Sequence, residues 1–411
     1  MIQESLFQEM SLTKGEVEAW RRKPDVMPSE WAEENYVVLR GPYQGRWSNE
    51  LTPYLVDIMN TAVQPWVRTV VVVGPTQSGK TQILYILWGF MVDINDVSLA
   101  MHIMADQKTA RRIGKQVFCR QARKSPALKR MLTGSPRDLS SEEINLAGHT
   151  LFMAWPSETQ LETHSAELVE LDETDAFKGY KKGARLSDPI ARAKGRTESF
   201  KHTGKVLAVS KCSTEAGPIW RELMKCQVQY VRGVVCPACG RWQIPELNQL
   251  KWDESLEADP GRVEAENLAW YECENPDCPE PHWHEMERKK AERAGSYRPA
   301  VWDSEKQTWQ PLPGDPPERP ISVGFNYGQF SAFSFVPLGK IAASAIRAKL
   351  DVAEKHDLYN KRLARPYRQD RAMKKEDYIL ELCDERIPGQ AGIVPRGTVL
   401  IATIDRQKYG R

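Results

Sequence analysis

The chain lacks a charge excess, a long apolar run and a recognisable leader. Lys and Arg number 57 against 55 Asp and Glu, a formal net charge of +2, so overall electrostatics select no class of partner. No window is long and apolar enough to span a bilayer as a helix. Met1-Ile2-Gln3-Glu4-Ser5 lacks the basic-then-apolar order of a secretion signal. Together these absences argue against a membrane role and predict a cytoplasmic location. Only eight cysteines occur in 411 residues, and in a reducing compartment they read as thiols or metal ligands rather than disulfides. There is no internal repeat and no coiled-coil register, and the length predicts about two to three domains.

What the chain does contain is concentrated. Val70-Val71-Val72-Val73 runs directly into Gly74-Pro75-Thr76-Gln77-Ser78-Gly79-Lys80-Thr81, a complete G-x-x-x-x-G-K-T. Two glycines let the backbone curl until successive N–H groups face a phosphate chain. Lys80 then reaches the β- and γ-phosphates, and the Thr81 hydroxyl ligates Mg²⁺. Ile83-Leu84-Tyr85-Ile86-Leu87 reads as the helix whose positive N-terminal end faces the nucleotide. A chance glycine-lysine loop is the competing reading, disfavoured by the strand before, the helix after and the matching elements downstream. The pattern predicts bound ATP or GTP with Mg²⁺.

Glu167-Leu168-Val169-Glu170-Leu171-Asp172-Glu173 supplies a second strand ending in acids. Asp172 is expected to position magnesium, and Glu173 to orient and deprotonate the attacking water. Read alone, the acid pair is equally a solvated turn. Further strands are expected at 99–104, 150–154 and 205–210, alternating with helices. The expected fold class is therefore α/β: an ASCE-type P-loop NTPase with a mostly parallel sheet flanked by helices. The last strand runs into Ser210-Lys211-Cys212-Ser213-Thr214. Motor ATPases commonly place a hydroxyl there to sense the γ-phosphate, so Ser213 and Thr214 are candidate coupling residues, with a Ser/Thr-rich turn as the alternative.

Two basic clusters stand out in this nearly neutral chain. Lys108, Arg111, Arg112, Lys115, Arg120, Arg123, Lys124, Lys129 and Arg130 form the first, with no acid between Lys108 and Arg130. Lys178, Lys181, Lys182, Arg185, Arg192, Lys194, Arg196 and Lys201 form the second. Each reads as a phosphate-tracking surface for double-stranded DNA or as an ordinary solvated face. Arg111, Arg112, Arg185 and Arg196 are unranked candidates for an arginine finger. Cys236-Pro237-Ala238-Cys239-Gly240 is a C-x-x-C-G knuckle, and Cys273 with Cys278 offers a second pair. Four thiolates suit a structural Zn²⁺ in a zinc-ribbon-like insertion, although the C-x₄-C spacing is imperfect. His282 and His284 rank below the cysteines as ligands, and a redox C-x-x-C is the rival reading.

Taken in order, these blocks resemble the large terminase subunit of tailed bacteriophages, in the branch that includes phage lambda. The resemblance also takes in Trp31-Ala32-Glu33, Gly45-Arg46-Trp47, Thr52-Pro53-Tyr54-Leu55 and Val323-Gly324-Phe325-Asn326. It ends on Val394-Pro395-Arg396-Gly397-Thr398-Val399-Leu400 running to Asp405. It implies an ATP-driven motor, assembled as a homo-oligomeric ring on a portal protein, that pumps viral DNA into a procapsid in the bacterial host cytoplasm. It also implies an RNase H-like nuclease, with Asp405 in the place of its first metal ligand. Because the sequence stops at Arg411, the other carboxylates of a two-metal site are missing, and no nuclease activity is expected of this polypeptide. The expected organisation is an N-terminal segment 1–30 that binds the small terminase subunit, a motor domain 31–225, a cysteine module 226–297, a linker or subdomain 298–395, and a first nuclease strand 396–411. The rival functions are a helicase- or remodeller-type ATPase with a zinc module, and a non-hydrolysing zinc DNA-binding scaffold.

Overall fold

Four valines in a row are stable in a strand only if both faces are covered, and the fold is organised around that requirement. A computed structural model describes residues 24–182, 185–256, 259–332 and 336–368. The strands of its main sheet are β1 (Thr69–Val73), β2 (Leu99–Ile103), β3 (Glu143–Leu146), β4 (His149–Ala154), β5 (Leu168–Asp172), β6 (Lys205–Ser210), β7 (Val228–Val235), β8 (Ser296–Asp303), β9 (Thr308–Pro311) and β10 (Ser322–Asn326). They lie in the order β9-β8-β7-β10-β1-β6-β5-β2-β4-β3, with Trp242–Gln243 added alongside β7. Every pairing from β7 to β4 is parallel, and antiparallel pairs occur only at the two margins. The α/β, largely parallel architecture expected from the sequence is therefore present.

Helices cover both faces. Helix α1 (Pro28–Asn35) packs on α3 (Lys80–Asp93), with α2 (Pro53–Ala62) beside them. Helix α3 is buried on nearly every side, which accounts for its almost uninterrupted apolar sequence. Trp31 locks α1 down by donating its indole N–H to Asp93 Oδ2 at 2.8 Å. It sits where a side chain on Gly89 would come within 2.6 Å of its ring.

The sheet crosses the boundary expected at Lys225. Strands β7 to β10 all come from later in the chain, and β10 sits directly against β1, pairing Ser322 with Thr69 and Asn326 with Val73. The cysteine-bearing segment adds its own three-stranded sheet, Leu250–Trp252, Ala269–Glu272 and His282–Trp283. Near the end of the described residues two short helices follow one another, Leu338–Arg347 and Val352–Asp357. Asp351 is extended between them and caps the second through the Ala353 N–H at 2.8 Å, a local bond that competes with helix continuation.

The first basic cluster follows β2 as Gln107–Ile113, a π-turn at Gly114–Phe118 and Cys119–Lys124. Its nine basic side chains are exposed, while Val117 is buried. At Gly114 the backbone presses on the Ser141 carbonyl oxygen, which a Cβ would meet at 2.2 Å. Gly114→Ala should therefore destabilise the protein by about 1–3 kcal/mol. The check is a lower urea midpoint with an unchanged slope.

Candidate nucleotide site and cysteine cluster

The Gly74–Gly79 loop leaves the end of β1 and enters α3 at Lys80. Gly79 has φ 79° and Gln77 has φ 58°, so the curl needs left-handed backbone at two positions. Gly74 has no room for a side chain, since a Cβ would lie 2.5 Å from the Tyr327 ring. The loop is held by residues outside the motif. Ser78 Oγ lies 2.8 Å from the Pro75 carbonyl oxygen, to which it donates, and 3.0 Å from the Tyr327 hydroxyl. Tyr54 donates its hydroxyl to the Ser78 carbonyl at 3.0 Å, and the Thr76 N–H donates to the Lys361 carbonyl at 3.1 Å.

Parallel register brings the ends of three strands to this loop. On β6, Ser210 pairs with Val73 of β1, while Val209 pairs with Asp172 of β5. Lys80 is only 4% exposed, and its Nζ lies 3.3 Å from the Pro75 carbonyl oxygen and 3.5 Å from Glu173 Oε1. Thr81 Oγ1 donates to Asp172 Oδ1 at 3.1 Å. Burial raises the Asp172 carboxyl to about 7, the Glu173 charge adds to that rise, and Lys80 and Thr81 oppose it. Glu173 leaves the strand at φ 56°, with its carboxylate partly exposed. Lys80, Thr81, Asp172 and Glu173, far apart in sequence, thus converge on one loop mouth. They offer an amine and a hydroxyl for phosphate and metal beside two carboxylates.

Ser213 does not stand alone: its hydroxyl donates to Asp175 Oδ2 at 2.6 Å. Thr214 is exposed and its carbonyl accepts the Gly217 N–H, so the segment is also a turn. Two features had no sequence signal. His102 of β2 and Glu170 of β5 form a fully buried 2.8 Å pair between the two strands, and burial favours the neutral form of both, lowering His102 to about 3 and raising Glu170. A cavity of about 470 Å³, lined in part by Tyr43, Trp47, Gln77, Gly79 and Gln82, opens beside the loop.

The four sequence-predicted cysteines come together. All Sγ atoms of Cys236, Cys239, Cys273 and Cys278 lie within 4.8 Å of one another. Cys236 to Cys278 is 3.6 Å, and Cys239 to Cys273 is 3.7 Å. Those separations are far too long for disulfides. They match the edge of about 3.8 Å of a sulfur tetrahedron around a zinc ion with bonds of about 2.3 Å. Gly240, at φ 71°, closes the first knuckle with its N–H on the Cys236 carbonyl. His282 instead sits exposed 3.4 Å from Glu272, and His284 begins the helix Glu285–Arg293. Neither joins the cluster.

Of the arginine-finger candidates, Arg111 pairs with Glu142, Arg112 is exposed, Arg196 donates to the Glu162 carbonyl at 3.2 Å, and Arg185 lies on a short strand. Asp405 and the segment before residue 24 lie outside the described residues. No helix among the described residues is long and apolar enough to cross a membrane.

No curated protein matches the sequence. The chain is similar in structure to the HK97 bacteriophage large terminase, at 14% identity and a TM-score of 0.37, over 48% of this chain and 39% of that one. It thus spans well under half the length of that protein. A second likeness is to a mutant ATPase domain of the Thermus phage P74-26 large terminase, at 12% identity and a TM-score of 0.35, over 73% of this chain and 90% of that one. The sequence profile described as phage terminase large subunit gpA, ATPase domain, matches residues 41–302. That span holds the Gly74–Thr81 loop, the Asp172–Glu173 turn and all four clustered cysteines, and the chain belongs to this terminase ATPase family.

Proposed function

We propose that the protein is an ATP-hydrolysing motor subunit that drives double-stranded viral DNA into a procapsid. The observation that carries this reading is the meeting of Lys80 with Glu173 and of Thr81 with Asp172 at the mouth of one loop. The strand order β10-β1-β6-β5-β2, with β6 between the loop strand and the acid strand, supports the ASCE-type assignment. Lys80 and the loop amides from Gly74 to Gly79 would hold the triphosphate, and Thr81 with Asp172 would hold Mg²⁺. Glu173 would turn from Lys80 to the attacking water. The cavity at Tyr43, Trp47 and Gln82 would take the base and ribose. The four cysteines fit a structural Zn²⁺ that fixes the inserted module. The motor unit would then include β7 to β10 as well as residues 31–225. The family relationship supports a portal ring, a small terminase subunit and sister copies in a ring as partners in the host cytoplasm. Asp405 would serve as the first metal ligand of a nuclease only as the resemblance to large terminases implies.

The basic face after β2 would follow the DNA backbone. Seven of its side chains, Lys108, Arg112, Lys115, Arg120, Arg123, Lys124 and Lys129, make no close ion pair with a carboxylate among the described residues. Duplex DNA of any sequence should stimulate ATP hydrolysis, because phosphate contacts carry no base information. Replacing Lys108, Arg112 and Lys115 by Ala should weaken DNA binding and flatten its log–log salt dependence by about 0.9 per lost contact. An unchanged slope would assign the DNA path elsewhere, and hydrolysis indifferent to DNA would count against the motor.

A further inference from the structure

We infer that Asp175 is a positioning residue that fastens the Glu173 turn to the Ser213 segment, so that acid and hydroxyl act as one unit during hydrolysis. This rests on the ATPase reading above and extends it to a residue outside the motif. Asp175 lies two positions beyond Glu173 on the short turn Thr174–Ala176. Its two carboxylate oxygens do different jobs. Oδ2 accepts the Ser213 hydroxyl at 2.6 Å, and Oδ1 accepts the Ile219 N–H at 2.8 Å. That N–H is one of the unpaired donors at the start of the helix Pro218–Met224, where Pro218 itself has none to give. The Asp175 N–H in turn approaches Ser210 Oγ at 3.3 Å.

The surroundings show a built junction. Gly217 passes so close that a Cβ there would lie 2.7 Å from Ser213 Oγ and 2.9 Å from Asp175 Oδ2. The Ser213 carbonyl accepts the Tyr367 N–H at 3.0 Å, and Pro218–Met224 packs against β1 and β10. Meanwhile Glu173 holds a left-handed backbone, which a non-glycine residue keeps only when its neighbours impose it. Its N–H is fixed by the Val209 carbonyl at 2.9 Å, so Asp175 anchors the other end of the same turn. One carboxylate therefore links the carboxylate facing Lys80, the hydroxyl after β6 and a helix behind the sheet.

A helix cap alone would cost stability and leave turnover untouched, which separates the two roles. The test uses the 411-residue chain with Asp175→Ala, Asp175→Asn, Ser213→Ala and the double variant Asp175→Ala/Ser213→Ala. Affinity for a fluorescent ATP analogue and kcat for ATP hydrolysis are measured on each. Asp175→Ala should keep nucleotide affinity within about threefold and lose on the order of 10² in kcat. Asp175→Asn should recover at least about tenfold of that loss, since its amide oxygen still accepts Ile219 N–H and its amide N–H meets Ser213 Oγ. The double variant should be no slower than the worse single one, as for groups acting together. Should Asp175→Ala fail to fold, Ser213→Ala must show the same split, because it leaves the Ile219 cap intact. A kcat within about threefold of the parent in Asp175→Ala, or in Ser213→Ala when only that variant folds, overturns the inference, as do losses that multiply in the double variant. A parent chain that neither binds nor splits ATP overturns the ATPase reading and this one with it, whereas an active parent with an indifferent variant overturns this one alone.

Discussion

Lys80→Ala should abolish measurable nucleotide binding, while Glu173→Gln should bind ATP and fail to split it. The contrast follows from where the two side chains sit. Lys80 is buried at the loop mouth, with its Nζ near the Pro75 carbonyl and Glu173 and its charge acting on Asp172, in position to meet a phosphate. Charge-assisted contacts of this kind are each worth about 1.5–3 kcal/mol, and one amine bridging two phosphates makes two of them. Their joint loss corresponds to about 10²-fold or more in affinity. Glu173 is about a third exposed and, among the described residues, its carboxylate pairs with Lys80 alone, so neutralising it removes a base rather than a binding group. A positioned base contributes about 10²–10⁴ in rate, and the Gln variant should lose that factor with its affinity kept. Removing the Glu173 charge also relieves the rise it imposes on Asp172, which favours metal binding. Turnover retained in either variant would end the proposed mechanism.

The second large effect concerns metal. Purified protein should contain about one zinc per chain, and a strong chelator should unfold the cysteine module cooperatively. Apparent zinc affinities in small modules reach about 10–16 kcal/mol, much of it folding free energy. Cys236 and Cys278 share one core with Leu250, Tyr271 and Trp283, and that core continues into the helix Leu338–Arg347. Glu246 also holds Arg365 through two bonds of 2.5 and 2.7 Å. Chelation should accordingly raise hydrogen exchange over 236–283 and loosen the helix at 338–347. Cys236→Ser should reproduce both effects. Zinc-free protein with unchanged exchange would remove the metal assignment.

Local chemistry was legible and distant pairing was not. A valine run entering Gly74–Thr81, an acid pair closing an apolar strand and a cysteine knuckle each carry their meaning within about ten residues. The first lies between a strand and a helix, the second at a strand end and the third in the four-cysteine cluster. Nothing in Val228–Val235 states that its parallel neighbour is Ser322–Asn326. Tyr54, Tyr327 and Lys361 brace the loop from remote positions, so no spacing rule finds them. The break between Leu338–Arg347 and Val352–Asp357 is set by an Asp351 cap, which an apolar pattern does not register. Asp175 was in plain view beside the acid pair, but its importance depends on a serine 38 positions away.

The place of β10 has a consequence for how such a chain is made. A ribosome delivers Thr69–Val73 early, yet the strand that lies beside it, and the Asn326 amide that donates to the Val73 carbonyl at 3.2 Å, arrive 253 residues later. Until then a flat row of valines has one flank bare, the sort of edge that nascent chains and chaperones must shield. Closing so long a loop is slow, and the loop mouth at Lys80 cannot acquire its final shape ahead of it. Synthesis therefore keeps the Gly74–Thr81 loop unfinished until Ser322–Asn326 has emerged.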